Sequence, residues 1–262
     1  MADHFSFHGV KVTAVGRRQE RLDEFCAQHG NEKASGIAFD IEKLDEIPAF
    51  VEKCVNGTLL MRTARLTLSS TFKTHPDIDC VFLNAATQAR FDFSKPETVD
   101  LGALQSQITI NFNSQVALVH AMLPHLLSRS SPTGLIFTGS PISLIPVFPM
   151  PAYGASKAAL ESFVLSLREQ LRDTNVTVQQ ISPGPVQTEL HDAHAGKEAG
   201  RKFGMPMEDF VKESWVGLVD REEDIYPGCV GGSTKEQFLK LVKLRDEASG
   251  RMSTLLRSMW TK

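Results

Sequence analysis

The sequence predicts an α/β fold, a doubly wound parallel sheet, in a single domain that covers residues 1–262. Two observations carry this prediction. Short apolar runs rich in β-branched residues alternate with segments of helical periodicity, which is typical of parallel strands covered by helices on both faces. No internal repeat and no Pro-, Gly- or Ser-rich linker divides the chain, so nothing indicates a second domain.

The individual strands and helices follow from the apolar pattern and the turn residues. The strand at 10–16 ends in Gly16, and the polar helical segment after it is closed by Gly30. Further strands are predicted at 34–41, 77–86, 133–140 and 176–185. Further helices are predicted at 43–55, 101–127, 153–172, 207–219 and 234–260. Ligands of such a sheet bind at the carboxyl ends of its strands.

Composition and charge argue against several kinds of partner. The formal net charge is −3 at pH 7 and the pI is about 6.2, without the basic surface that attracts nucleic acids and anionic membranes. No apolar run approaches the roughly 20 residues that span a bilayer, and no signal peptide is recognisable at the N-terminus. The cysteines lack C-x-x-C spacing and the histidines lack metal-ligand spacing. We expect a cytoplasmic protein that binds no nucleic acid, membrane or metal.

Tyr153 precedes Lys157 by four residues at the start of the helical segment 153–172. Residues four apart share one helix face, with about 5 to 6 Å between their Cβ atoms. One interpretation is a core tyrosine beside a solvated lysine. The other is an acid and base pair, in which the cation lowers the pKa of the phenol from about 10 toward neutrality. Other positions in the chain must decide between the two.

Five motifs in a fixed order favour the acid and base pair. They are L-N-A-A at 83–86, Asn111 in a long helix, Ser140 at a strand end, Tyr153 with Lys157, and S-P-G-P-V-Q-T at 182–188. In order and spacing the motifs resemble the short-chain dehydrogenase/reductase family, over roughly residues 10–230, and are most similar to its fungal members. The resemblance implies a Rossmann-like sheet, a nicotinamide dinucleotide cofactor and a small-molecule carbonyl or alcohol substrate.

The resemblance also implies catalytic roles for Ser140, Tyr153, Lys157 and Asn111. Negative charge develops on a carbonyl oxygen when hydride reaches its carbon, and a donor placed for that oxygen lowers the barrier. Tyr153 would give the proton, Ser140 would hydrogen-bond the substrate oxygen, and Lys157 would hold the nicotinamide ribose. Asn111 would hold a water that connects Lys157 to solvent. Taken singly, Ser140 is also explained as a helix N-cap and Asn111 as a satisfied polar residue.

The cofactor that the resemblance implies is NADP, with NAD second. Arg17 and Arg18 follow the first strand, where an NAD enzyme presents an acid to the ribose 2′-hydroxyl; arginine there accommodates a 2′-phosphate instead. Asp40 matches the family's adenine-binding acid, although a carboxylate at a strand end is equally often a cap. The expected cofactor-binding residues are Arg17, Arg18, Asp40, Asn84, Tyr153, Lys157, Val186 and Thr188.

Two segments depart from the family pattern. The family begins with a strand and a glycine-rich turn that have no counterpart before residue 10, and that strand would be central in the sheet. Residues 56–72 stand where relatives have a shorter connection, and a central strand there would have to bury Arg62 and Arg65. A catalytically impaired remnant or a non-catalytic partner subunit is therefore the alternative to an enzyme, and a dinucleotide sensor is a third interpretation.

Two further expectations concern substrate access and assembly. Residues 189–220 are rich in charge, Gly and Pro and follow a strand at its carboxyl end, where long loops often act as lids. With the apolar stretch 144–151 they would line a pocket for a substrate with apolar bulk. Members of the family commonly associate through two long helices, so the resemblance implies a homodimer or homotetramer.

Overall fold

The structure is a computed structural model that describes residues 1–56, 75–192, 196–228 and 232–260. The strands are Val12–Gly16 (β1), Ala34–Ala38 (β2), Cys80–Leu83 (β3), Thr133–Thr138 (β4), Val176–Ile181 (β5) and Asp224–Ile225 (β6). The α-helices are Ala2–Phe7 (α1), Gln19–His29 (α2), Ile47–Asn56 (α3), Leu101–Ile108 (α4), Ser114–Ser128 (α5), Pro151–Leu171 (α6), Lys197–Gly200 (α7), Met207–Val219 (α8) and Lys235–Trp260 (α9).

The described strands form two parallel sheets. One has the order β1-β2, and the other has the order β3-β4-β5-β6. In the larger sheet Phe137 pairs with Leu83 on one side and Gln180 on the other, so β4 is paired along both edges. The carboxyl ends of β3, β4 and β5 therefore meet at one rim, where an open α/β sheet binds its ligands.

The main core lies between the larger sheet and helices α5 and α6. Leu135 and Phe137 of β4 are fully buried against Leu160 and Val164 of α6. Apolar residues recur along α6 at helical spacing, so one face of that helix packs on the sheet. This packing fixes where the first turn of α6 stands relative to the end of β4.

Most of the predicted elements are present. The predicted helices at 207–219 and 234–260 correspond to α8 and α9 within one residue at each end. The predicted helix 101–127 is α4 and α5, joined by a π-helical turn at Thr109–Asn113. The predicted segment 56–72 lies almost wholly outside the described residues. Strand β6 was not predicted, because two residues carry too little pattern.

A buried charge network joins α6 to α9. The Glu161 carboxylate accepts hydrogen bonds from Arg245 of α9 and from Gln180 of β5. Arg168 of α6 forms a bidentate pair with Asp224, with both N–O distances 3.0 Å. Burial raises the pKa of Glu161, and the Arg245 guanidinium opposes that rise. The network places the C-terminal helix directly against the helix that carries Tyr153 and Lys157.

Two further findings bear on the expectations from composition. Cys26, Cys54 and Cys80 are free thiols. Among the described residues, no helix is both long enough and apolar enough to cross a lipid bilayer. The remaining cysteine, Cys229, lies outside the described residues.

We predict that Leu160→Ala lowers the free energy of unfolding by about 2–5 kcal/mol, because truncation of a fully buried leucine leaves a cavity beneath the middle of α6. Urea unfolding followed by circular dichroism measures the change. Leu244→Ala is the matched control: Leu244 is 63% exposed on α9, and its truncation should cost less than about 0.5 kcal/mol. Equal losses in the two variants would contradict the assigned core.

Candidate active site

Ser140 and Tyr153 meet where β4 ends and α6 begins. Ser140 follows β4 and caps the 3₁₀ helix Pro141–Ser143, accepting a hydrogen bond from Ile142 N at 3.4 Å. Tyr153 lies in the first turn of α6, and its hydroxyl is hydrogen-bonded to the Ser140 side chain. The helix-cap explanation of Ser140 is therefore correct, and the same residue also contacts the phenol.

The pKa of Tyr153 moves in the direction opposite to the one expected from the sequence. Burial raises it to about 12, and the hydrogen bond with Ser140 offsets only part of that rise. The Lys157 ammonium lies 5.8 Å from the centroid of the tyrosine ring. The pKa therefore departs from the expectation that Lys157 lowers it toward neutrality, because removal of the phenol from water is the largest effect on it.

Lys157 is a buried cation anchored to a strand end. Its side chain is 1% exposed, and Nζ donates a hydrogen bond to the carbonyl oxygen of Thr138 at 2.7 Å. Burial lowers its pKa to about 8. The interpretation of Lys157 as a solvated lysine is therefore wrong, and its ammonium can gain or lose a proton near neutral pH.

Thr138 and Asn84 connect the ends of two neighbouring strands. The Thr138 hydroxyl donates to the Asn84 side-chain oxygen at 2.9 Å, while the Thr138 carbonyl accepts from Lys157. Asn84 and Lys157 were predicted from the sequence, whereas Thr138 was not, because no side-chain pattern reveals that its main-chain carbonyl accepts from Lys157. The three residues bind the ends of β3 and β4 to helix α6.

Asn111 is fully buried in the π-helical turn between α4 and α5. Its side chain exchanges two hydrogen bonds with the main chain of Thr87, at 2.8 and 2.9 Å, and donates a third to Ser156 at 3.0 Å. Ser156 in turn donates to the carbonyl oxygen of Tyr153 at 2.8 Å. Asn111 therefore positions the first turn of α6, and π-helical turns occur frequently at functional sites.

Gly139 separates β4 from Ser140 at a point of close approach. A Cβ atom at this position would overlap the side chains of Gln180 and Ser182 on β5 and its extension. The Gln180 and Ser182 side chains consequently pack directly against the backbone of Gly139. Sequence analysis assigned this glycine no role, although the strand end T-G-S contains it.

The two arginines after β1 have acidic partners. The Arg18 guanidinium donates to Glu189 at 2.7 Å, and Glu189 also lies 3.4 Å from Arg21 and 3.3 Å from Arg201. The hydrogen bond from Arg18 holds the pKa of Glu189 below its usual value. Glu189 begins the predicted lid, so this carboxylate connects the lid to the arginines after β1. Glu189 was not predicted from the sequence, because Arg18 and Arg21 lie 171 and 168 positions away from it along the chain.

The remaining expected cofactor residues have local partners. Asp40 accepts a hydrogen bond from Glu42 N at 3.1 Å, as a turn-capping carboxylate does, and lies 4.0 Å from Arg17. Val186 is buried and bridges to Met205, while Thr188 caps the short helix Glu189–His191 through a hydrogen bond from Leu190 N. Asp40, Val186 and Thr188 therefore each have a partner within the chain.

The donors at the rim fit a hydroxylated organic cofactor better than a metal. No group of three histidine, cysteine or acidic side chains suited to a metal ion is present in the part of the chain that the structure describes. A phenol, an ammonium and two hydroxyls instead converge at the ends of β3 and β4. Ammonium and hydroxyl groups can bind the ribose hydroxyls of a nicotinamide nucleotide, so the residues present fit that half of the cofactor.

The chain is similar to proteins of one enzyme family. The family described as short chain dehydrogenase matches residues 1–199. Serine 3-dehydrogenase of Rhizobium radiobacter is 31% identical over 190 residues, which cover 72% of this chain and 67% of the relative. An uncharacterized oxidoreductase, DltE, of Bacillus subtilis is 33% identical over 153 residues, which cover 58% of this chain and 60% of DltE.

Solved structures share the fold. A closed serine dehydrogenase complexed with NADP⁺ aligns with a TM-score of 0.71 at 23% identity, covering 89% of this chain and 91% of that one. A short-chain dehydrogenase of Sphingobium yanoikuyae in complex with NADPH aligns with a TM-score of 0.72 at 20% identity, covering 95% of this chain and 89% of that one. The observed α/β fold with parallel sheets is therefore Rossmann-like.

We predict that replacement of Lys157 by methionine changes how stability depends on pH. In the unfolded chain the lysine pKa is near 10.5, and in the folded chain it is about 8. Below pH 8 both states are protonated and the full cost of the buried ammonium is present. Between pH 8 and 10 the folded state releases this proton while the unfolded state keeps it. The free energy of unfolding of the parent therefore rises by about 2 kcal/mol relative to that of Lys157→Met.

Urea unfolding of parent and variant at pH 7 and pH 10 measures this difference. Lys240→Met is the matched control, because Lys240 is a solvent-exposed lysine on α9 paired with Glu236. Its stability relative to the parent should stay constant between the two pH values. A constant difference for Lys157→Met as well would show that its ammonium is not buried.

Proposed function

The chain belongs to the short chain dehydrogenase family, and we propose that it interconverts a carbonyl and an alcohol with NADP as cofactor. The observation that carries the proposal is the convergence of Ser140, Tyr153 and Lys157 at the carboxyl end of β4. Two separate elements supply these groups, Ser140 after β4 and both Tyr153 and Lys157 on α6, and a structural role for each would not require them to meet at one rim. The substrate in this proposal is a small molecule.

Tyr153 is the proposed proton donor to the substrate oxygen. Its raised pKa keeps the phenol protonated at neutral pH, so the proton is available when charge develops on that oxygen. Ser140 already contacts the phenol and offers a second hydroxyl to the same oxygen. Preplaced donors of this kind stabilise a developing oxyanion without reorganisation.

Lys157 is the proposed cation of the site. With a pKa of about 8, its ammonium is protonated at neutral pH and stabilises a phenolate that forms within 6 Å of it. Asn111 supports this arrangement through Ser156 and the main chain of Tyr153. We propose that a water held near Asn111 resupplies the proton through Lys157.

NADPH supplies the hydride in this proposal when it is bound. Lys157 and Tyr153 would hold the nicotinamide ribose, and Asn84, Val186 and Thr188 would lie along the nicotinamide side. Asp40 would contact the adenine. The sequence contains no G-x-G-x-x-G motif, so the pyrophosphate would be held with fewer main-chain contacts than such a motif provides.

Arg17 and Arg18 support the choice of NADP over NAD. Both guanidinium groups follow β1, and Arg18 already holds an anionic group, the carboxylate of Glu189. A ribose 2′-phosphate would compete for the same guanidinium, since arginine binds carboxylate and phosphate with the same planar fork. In this proposal Glu189 must release Arg18 before the 2′-phosphate can bind.

The remaining parts of the proposal concern organisation. We propose one domain over residues 1–262, with 189–220 as a substrate lid whose position depends on the pairing of Glu189 with Arg18. Members of the family often oligomerise, and a homodimer or homotetramer is proposed for this chain. The relatives named above are bacterial, and the closer resemblance to fungal members stays a prediction.

A non-catalytic role is the second candidate, and one observation favours it. Strands β1 and β3 do not pair, so the rim that would support the adenosine half of the cofactor is interrupted. A protein of this kind would contain the catalytic residues but bind dinucleotide weakly or not at all. Calorimetric titration with NADPH distinguishes the two candidates, because only the enzyme should give saturable heat.

We predict that Tyr153→Phe lowers the rate of NADPH oxidation with a reducible ketone by at least about 100-fold while NADPH affinity changes little, because only the proton donor is removed. A panel of aliphatic and aromatic ketones assayed at 340 nm identifies the substrate for the comparison. Tyr226→Phe is the matched control, because Tyr226 is the second of the chain's two tyrosines and its ring packs against Phe238 of α9. A Tyr153→Phe variant as active as the parent would refute the assignment.

We predict that Glu189→Gln tightens NADPH binding about 2- to 5-fold and leaves NADH binding unchanged, because it removes the carboxylate that competes for Arg18 at a partly exposed site. Calorimetric dissociation constants for both nucleotides measure the effect. Glu198→Gln is the control, since its carboxylate pairs with Lys202 in the same segment. An equal gain in NADH affinity would mean that Glu189 weakens dinucleotide binding through its negative charge and not through competition for Arg18.

A further inference from the structure

Helix α9 carries a straight row of exposed side chains, most of them large and apolar. The row recurs at spacings of 3, 4, 4, 3 and 4 residues, which keep it on one face of a helix. Its large members are between 47% and 63% exposed. Single exposed apolar residues are ordinary, but a contiguous row of them marks an interaction surface. We call this row the α9 stripe: Leu241, Leu244, Ala248, Met252, Leu255 and Met259.

A different side of α9 holds the helix to the rest of the protein. Phe238 and Val242 are buried, and Arg245 and Arg257 pair with carboxylates of α6. At about 100° per residue, Ala248 lies about 120° around the helix axis from Val242. The α9 stripe therefore faces away from the body of the chain, on a helix that is anchored at both halves.

The α9 stripe is symmetric about its centre. Leu244 and Met252 stand four residues on either side of Ala248, and Leu241 and Leu255 stand seven residues on either side. When two copies of α9 pack antiparallel with their Ala248 residues in contact, each of these side chains meets its counterpart from the partner copy. A two-fold interface requires this self-complementarity. The small side chain at the centre lets the two helix axes approach closely.

Two exposed charges beside the stripe complement each other in the same arrangement. Glu247 and Arg251 lie on the flank of the stripe that is turned away from the body of the chain. In the antiparallel pair, Glu247 of one copy and Arg251 of the other are offset by about two residues, or about 3 Å, along the axis. Each carboxylate thus faces a guanidinium of the partner copy, and its contact with Lys243 in its own helix is long, at 4.0 Å.

We propose that α9 pairs antiparallel with α9 of a second copy of this chain, centred on Ala248. The stripe is about 27 Å long, and a strip of that length around half of a helix about 10 Å across covers roughly 400 Å². The pair therefore buries roughly 800–1,000 Å² in total, the size of a weak and reversible interface. We expect a dissociation constant in the micromolar range. Below that concentration the stripe is solvated, as the Leu244→Ala control requires.

The position of α9 favours a second copy over another segment of the same chain. Residues 57–74 connect α3 to β3, at one edge of the larger sheet, whereas α9 packs on Tyr226 just after β6, at the opposite edge. Each remaining segment outside the described residues holds at most three residues, too few to cover about 27 Å of helix.

This interface adds to the proposed homo-oligomer and is separate from the two long helices that the family resemblance implies. The inference rests on that proposal only for self-association, and no catalytic residue takes part in it. Sedimentation equilibrium of the full chain over a micromolar range of concentrations therefore tests it without any measurement of activity.

The first variant, Leu255→Asp, places a charge on the α9 stripe. We expect association through α9 to weaken at least tenfold, so that the average mass at high concentration falls by half. Val216→Asp is the matched control, because Val216 is a 53% exposed apolar residue on α8. Its average mass should equal that of the parent. Because both positions are exposed, circular dichroism should show the parent fold in both variants.

Exchanged charges test the pairing between copies. Glu247→Arg and Arg251→Glu should each weaken association, since like charges then meet across the interface. An equimolar mixture of the two variants should associate as strongly as the parent, because every arginine again faces a glutamate of the other copy. A change confined to the stability of the helix itself is not rescued by mixing.

Cysteine cross-linking tests the orientation of the two helices. In the antiparallel pair, residue 241 of one copy lies beside residue 255 of the other. Leu241→Cys and Leu255→Cys should therefore form an intermolecular disulfide when they are mixed and oxidised with diamide, and neither should do so alone. The parent, with its native thiols, provides the background.

Several results would overturn the proposal. A parent that stays monomeric at every concentration would refute both the proposed homo-oligomer and the α9 interface. An oligomeric parent whose mass Leu255→Asp leaves unchanged would refute the α9 interface alone. A mixture of the charge variants no stronger than either variant would refute the charge pairing, and cross-linking within each cysteine variant alone would show a parallel pair.

Discussion

The hydrogen bond between the buried Lys157 ammonium and the carbonyl of Thr138 is the constraint on which the candidate site depends. Burial of an ammonium group costs free energy unless the group donates to a strong hydrogen-bond acceptor, and the end of β4 supplies that acceptor. Because α6 is held at this point, Tyr153 stands one turn earlier beside Ser140. The Thr138 hydroxyl extends the constraint to the end of β3 through Asn84, so three side chains and one carbonyl connect three elements.

The elements around this constraint were predictable from the sequence because their patterns are local. The helical spacing of apolar residues after Tyr153 indicates α6, and the apolar run before Ser140 indicates β4. The juxtaposition of Ser140 with Tyr153 follows once both are placed at the carboxyl rim of a parallel sheet. Asn111 was predicted inside a helix, and only its place in the order of the family's motifs distinguished it from other buried amides.

What the sequence did not reveal depends on long-range geometry or on main-chain atoms. Thr138 contributes a carbonyl, and Glu189 finds Arg18 far away along the chain. The pKa of Tyr153 depends on how completely neighbouring elements exclude water, which a spacing of four residues does not reveal. Within the described residues β1 and β3 lie in different sheets, and the residue pattern within a strand does not reveal which strands it pairs with.

The Glu161 network couples the completion of the site to the order of synthesis. Glu161 lies one turn beyond Lys157, and its cation, Arg245, belongs to α9, the last described helix in chain order. On a translating ribosome the carboxylate therefore has no guanidinium until α9 has emerged. A buried anion on the helix that carries Tyr153 and Lys157 would weaken the packing of the nascent domain during that interval. Docking of α9 is thus the step that neutralises the interior and closes the fold.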